Sequence, residues 1–179
     1  AGGLDKGFED AGFRTIWANE FDKSIWKTYE KNFENTYLER RSIRDVLSDD
    51  IPEADGIIGG PPCQSWSEAG RLKGINDKRG QLFFEFIRIL RDKKTKFFLA
   101  ENVSGMLAPR HSGALDNIKT LFKDSGYILS FNLLNSVDYG VPQDRKRVFF
   151  IGIRQDLNFK FQFPKPLKNK MVLKDSIWD

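Results

Sequence analysis

At 179 residues the chain is long enough for one domain with a sizeable core and marginal for two. Hydrophobic residues make up 40% and charged residues 30%, an ordinary balance for a soluble globular domain, and no run of 18 apolar residues exists to form a transmembrane helix. One Cys and one His exclude a disulfide framework and a Cys/His zinc cluster, while a net charge of +4 leans toward a polyanionic partner. No charged stretch followed by an apolar one opens the sequence, so secretion is not expected and a reduced, cytoplasmic setting fits.

The first residues, Ala1-Gly2-Gly3, read as the tail of a Gly-rich loop feeding a helix over LDKGFEDAG. Glycines there let a ligand approach the backbone, and a helix N-terminus favours negative charge. Phe13 to Asn19 is rich in aromatic and β-branched residues and predicts a strand ending at Glu20. An acidic residue at such a strand end can hydrogen-bond a ribose, or it can be a solvated carboxylate opening the next helix. Asp22 is the expected N-cap of that helix, in which Ile25, Tyr29 and Phe33 repeat at four-residue spacing. A third strand is expected before Arg44-Asp45-Val46, and a surface carboxylate is one reading of Asp45.

Ile57-Ile58 reads as a short buried strand ended by Gly59-Gly60. Pro61 and Pro62 then fix two φ angles and remove two donors, so the turn that carries Cys63 is stiff. A lone Cys is more often a small core hydrophobe. Its place just past a strand end argues the other way, because open α/β sheets do their chemistry there. Glu68 to Lys78 has glycines, basic residues and no apolar period, and reads as a mobile basic loop. Leu82, Phe83, Phe86, Ile87 and Leu90 form one apolar stripe of a helix. Phe97 to Ala100 is a short strand delivering Glu101 at its end.

Leu115, Ile118, Leu121 and Phe122 mark a further helix closed by Gly126, with His111 expected as a solvated residue at its start. Tyr127–Leu134 and Arg147–Ile153 read as two more strands, and Phe159, Phe161 and Phe163 alternate before Pro164 and Pro166 break the pattern. Strands alternating with helices along the whole length predict an α/β domain over 1–179, with a mostly parallel twisted sheet and helices on both faces.

Three short motifs then combine. Gly60-Pro61-Pro62-Cys63-Gln64-Ser65, Glu101-Asn102-Val103 and Gln143-Asp144-Arg145-Lys146-Arg147 resemble, in this order, the Pro-Cys, Glu-Asn-Val and Gln-x-Arg-x-Arg motifs of the cytosine-C5 DNA methyltransferases. Locally PPCQSWSE and QDRKR are most similar to bacterial modification methylases of the GGCC-methylating group. The resemblance implies a Rossmann-like S-adenosylmethionine-dependent methyltransferase fold with a reversed last hairpin in the sheet.

Carbon 5 of cytosine is a poor nucleophile until a thiolate adds at carbon 6, and Cys63 is the implied nucleophile. Glu101 is the implied acid at ring nitrogen 3, with Arg147 on the oxygen at carbon 2 and Arg145 beside it. Asn102 is expected to hold the Cys turn. By position, Gly2, Gly3, Glu20, Phe21, Asp45, Val46, Pro62 and Leu82 are the implied S-adenosylmethionine contacts, with Asp45 at the adenine amino group. The partner implied is duplex DNA with the target base flipped out, clamped by the basic loop.

Two other readings compete. One is the same chemistry on an RNA cytosine, which the full Gln-x-Arg-x-Arg pattern disfavours. The other is a non-catalytic DNA-binding fragment, which an intact Cys, Glu and Arg set disfavours. The family's first strand and its upstream aromatic-Gly pair have no counterpart here, nor has its target-recognition region. The expectation is therefore a partial catalytic and cofactor-binding domain, completed by the rest of the same gene or by a second polypeptide, and poorly stable or inactive alone.

Overall fold

The structure is a computed structural model that describes residues 2–62, 78–171 and 173–174. Helix α1 (Gly3–Asp10) starts from Gly2, whose φ of 82° lies in the left-handed region that glycine tolerates best. The chain then turns back through Gly12, and the Phe13 N–H bonds to the Phe8 carbonyl at 3.0 Å. That turn, with the Phe13 ring packed edge-on to Phe8 and Phe97, confines β1 to Trp17–Asn19 rather than the longer strand expected.

Helix α2 (Lys23–Asn32) is capped by Asp22, whose carboxylate accepts from Ser24 N–H at 2.9 Å. Its apolar face, Trp26, Tyr29 and the following Phe33, packs on Ala18 and Leu38. Strand β2 (Tyr37–Glu39) pairs with β1 in parallel. Two short 3-10 turns, Ile43–Asp45 and Ser48–Asp50, lead to β3 (Gly56–Gly59).

Beyond the Pro-Pro turn come α3 (Lys78–Lys93), β4 (Phe97–Val103), α4 (Ser112–Asp124), β5 (Tyr127–Asn135) and β6 (Lys146–Arg154). The second sheet has the order β3-β4-β6-β5. β3 and β4 are parallel, while β6 is antiparallel to both β4 and β5. β5 therefore points the same way as β3 and β4, and the reversal expected of the last hairpin is confined to β6.

Side chains alternate across β4, so Phe97 and Phe98 face opposite sides of the sheet. On one side Phe98 and Ala100 meet Phe83, Ile87 and Leu90 of α3 and Ile118 and Phe122 of α4. On the other side Phe97 stacks on Phe8 of α1, with ring centroids 6.1 Å apart. Helices thus cover both faces. Among the described residues the two sheets share no strand pairing. They are joined by an apolar cluster of Val46, Ile51 and Ile89 with Trp17, Ile43 and Ile57 packed against it.

His111 corrects one expectation. It stands at the start of α4 as predicted, but only 6% of it is exposed, because the 3-10 turn over Pro109–His111 folds it inward.

Candidate active site

The site is assembled at the ends of β3, β4 and β6. Strand β4 runs further than its apolar residues suggested, so Glu101 and Asn102 lie inside it, paired with Phe149 and Val148 of β6. The same ladder sets Val103 opposite Arg147. Arg147 Nε then lies 3.0 Å from Glu101 Oε1, and Arg145 Nη2 lies 3.5 Å from the same oxygen. The two guanidinium groups and the carboxylate form one partly shielded cluster, in which Glu101 and Arg147 are the more enclosed members.

The Pro-Pro turn is tied to this cluster from below. Asn102 donates from Nδ2 to the Pro61 carbonyl at 2.8 Å, and its Oδ1 accepts from Val103 N–H at 2.9 Å. Gly60 sits so close that a Cβ there would come 3.5 Å from Glu101 Oε2. The chain is thereby anchored two residues before Cys63. Cys63 and the basic loop lie in residues 63–77, outside the described residues, except that Lys78 begins α3.

A cavity of about 350 Å³ opens beside the cluster, lined by Ser104, Gln143, Asp144, Arg145, Lys146 and Arg147. Its wall carries three cations against one carboxylate, which suits an anion such as a phosphate. A second cleft of about 610 Å³, along β2 between Glu30 and Arg41, contains none of these residues.

The residues expected to contact a cofactor lie on several separate elements. Gly2 and Gly3 form the N-terminus of α1, and Glu20 follows β1 directly, its Oε1 accepting from Asp22 N–H at 2.8 Å. Phe21 beside it is 69% exposed, an unusual state for so large a ring and one that offers a face for stacking. Pro62 and Leu82 are half-buried. Asp45 is exposed on its 3-10 turn, whereas Val46 next to it is only 1% exposed and packs with Ile51 and Ile89 as core.

That turn is held by a residue with no local sequence signal. Arg88 of α3 donates to the carbonyls of Ile43 (3.2 Å) and Val46 (3.0 Å) and to Ser48 Oγ (2.6 Å), and pairs with Glu85 at 2.7 Å. Nearby, Arg41 grips Glu39 through two nitrogens at 3.0 and 2.7 Å and a backbone N–H at 2.9 Å. Chiefly through that side-chain pairing, the Glu39 carboxyl is lowered to about 2.

A doubly covered α/β sheet with one reversed strand, a Pro-Pro turn at the end of β3 and a carboxylate carried by β4 is the architecture of the α/β methyltransferase fold. The architecture matches a crystal structure of a DNMT2 mutant from Spodoptera frugiperda, with a TM-score of 0.79 and 25% identity over 99% of this chain and 57% of that one. The chain belongs to the C-5 cytosine-specific DNA methylase family, whose model matches residues 1–179. It is 59% identical to the Type II methyltransferase M.FnuDI of Fusobacterium nucleatum, covering 100% of this chain and 53% of that protein. It is 58% identical to M.NgoPII of Neisseria gonorrhoeae, covering 99% and 54%. The chain therefore spans about half the length of these curated relatives.

Proposed function

We propose that the protein transfers a methyl group from S-adenosylmethionine to carbon 5 of a cytosine in duplex DNA, through a transient bond between Cys63 and carbon 6. The observation that carries this reading is the convergence of Glu101, Arg145 and Arg147 beside a turn that Asn102 pins immediately ahead of Cys63.

The chain's own residues divide the work. The Cys63 thiolate adds its electron pair at carbon 6, and the ring electrons move to carbon 5. The Glu101 carboxyl group shares or gives a proton at ring nitrogen 3 as charge builds there. Arg147 hydrogen-bonds the oxygen at carbon 2, and Arg145 steadies Glu101 through the same carboxylate oxygen that Arg147 meets. Asn102 fixes the approach of the thiol by holding the Pro61 carbonyl. After transfer Glu101 takes back the nitrogen 3 proton, and a solvent water accepts the proton from carbon 5. The electron pair left behind re-forms the ring double bond and expels the Cys63 thiolate. A stacked base cannot reach this site, so the cytosine leaves the helix first.

The donor fits the residues present. The exposed Phe21 ring suits an adenine face, the Glu20 carboxylate suits a ribose diol, and the N-terminal end of α1 at Gly2-Gly3 suits a carboxylate. Asp45 would take the adenine amino group, Val46 would support that turn from the core, and Pro62 and Leu82 would close the other side. When bound, S-adenosylmethionine supplies an electrophilic methyl group on a sulfonium. We read the remaining partner, a recognition region, as lying in the half of the protein that the relatives have beyond this chain, on the same or a second polypeptide. By the local similarity of PPCQSWSE and QDRKR, GGCC is the target site to test first, in a bacterial cytoplasm at the nucleoid.

Duplex DNA carrying 5-fluorocytosine at the target should trap a covalent complex through Cys63, because the fluorine cannot leave as a proton does. Trapping by the Cys63→Ala variant would overturn the reading. Glu101→Gln should cost at least about a hundredfold in rate with DNA affinity little changed. Transfer RNA in place of duplex DNA should not be methylated.

A further inference from the structure

Arg145 reaches Glu101 from a turn rather than from a strand, and half of its side chain is exposed to solvent. A long exposed arginine held by its head alone loses its geometry to rotamer freedom. What fixes it lies on the neighbouring strand. Asn135 ends β5 opposite Lys146, at the last rung of the β5–β6 ladder. Past that rung its side chain takes over from the backbone: Nδ2 donates to Asp144 Oδ1 at 2.8 Å, and Oδ1 accepts from Arg145 N–H at 3.1 Å. Ser136, the next residue, donates its N–H to the Arg145 carbonyl at 3.1 Å, and its hydroxyl to the same oxygen at 3.3 Å. Both polar groups of the Arg145 main chain are therefore held by two consecutive residues at the end of β5.

We propose that Asn135 is a positioning residue for methyl transfer: it sets the Asp144-Arg145 turn so that the Arg145 guanidinium meets Glu101. This rests on the reading of Glu101, Arg145 and Arg147 as the reacting cluster. The role requires an amide, because one side chain must donate to a carboxylate and accept from an N–H at once. Aspartate keeps the acceptor but turns a second carboxylate on Asp144. Alanine keeps neither bond. Sequence alone carries no sign of this, since the three residues meet only when β5 and β6 close their hairpin.

The test uses the enzyme that contains this chain, with single-turnover methylation of duplex DNA and separate measurement of S-adenosylmethionine and DNA affinity. Asn135→Asp should slow transfer by about tenfold or more, the scale of a displaced positioning contact, with both affinities within about twofold. Exchanging the pair, Asn135→Asp with Asp144→Asn, rebuilds the hydrogen bond with its polarity reversed and should recover most of the rate. In an Arg145→Lys background, Asn135→Asp should add less than about a twofold further loss, because the two residues act as one unit. Wild-type turnover in Asn135→Asp, an unrescued exchange, or the same loss in the Arg145→Lys background would each overturn the proposal. Should Asn135→Asp fail to fold, Asn135→Ala carries the same comparison. Failure of the site reading is separable: active Cys63→Ala and Glu101→Gln enzymes would sink that reading, whereas wild-type Asn135→Asp beside an inactive Cys63→Ala sinks only the positioning role.

Discussion

Gly152 of β6 lies opposite Phe98 of β4, and the Phe98 ring lies across the space a side chain would fill. A Cβ at Gly152 would stand 2.0 Å from Phe98 Cε1 and 2.6 Å from Cδ1. Ordinary contact begins near 3.4 Å, so ring and strand would have to separate by about 1.4 Å. The ring has nowhere to go. It is fully buried, stacked on Phe122 with centroids 4.4 Å apart, and met edge-on by Tyr127 at 5.0 Å and Phe86 at 6.1 Å.

Gly152→Ala should therefore fall at the upper end of the overpacking range, about 3 kcal/mol. For a chain of this size that lowers Tm by roughly 6–12 °C. Urea unfolding followed by circular dichroism measures it. Methyl transfer should fall as well, because a displaced β6 carries Arg147 away from Glu101. The reasoning also requires coupling: in a Phe98→Leu background the added methyl should cost at least about 1 kcal/mol less. A loss below about 1 kcal/mol, or strictly additive effects, would refute it.

Three further outcomes are expected. Asn102→Ala removes the hold on the Pro61 carbonyl and should cost only about 1–2 kcal/mol of stability while slowing transfer about tenfold or more, and an unchanged single-turnover rate would count against the anchoring role. The folded Glu39 carboxyl, at about 2, lies below its unfolded value of about 4.5, so the Arg41 pairing contributes fully above that upper value and is lost as pH falls toward 2. Glu39→Gln should flatten that acid limb, and superimposable acid-unfolding curves would contradict it. Lys94 holds a φ of 47° in the turn after α3, so Lys94→Gly should raise stability by up to about 1 kcal/mol in the same urea assay, and a destabilised variant would show that the turn favours a side chain.

Much of the site was legible because its signals are local. Pro61 and Pro62 stiffen their own turn, an apolar run before Glu101 places that carboxylate on a strand, and Asp22 caps α2 by bonding a residue two positions on. The helix stripes were equally readable, since periodicity records which face must leave water. What sequence could not supply was where strands meet. The pairing of Val103 with Arg147, and hence the approach of Arg147 to Glu101, follows from the antiparallel register of β4 and β6. That register is pinned by the Phe98 ring over Gly152, a contact between distant parts of the chain. The same reason hides Asn135, whose partners arrive only when the hairpin closes, and Arg88, which holds the Ile43 and Val46 carbonyls from a separate helix. It also explains His111 and Val46. The sequence reads His111 as a solvated helix start and Val46 as a cofactor contact, and each is turned inward by packing against other elements of the fold. Local chemistry determined which side chains could react; tertiary packing decided which of them face one another.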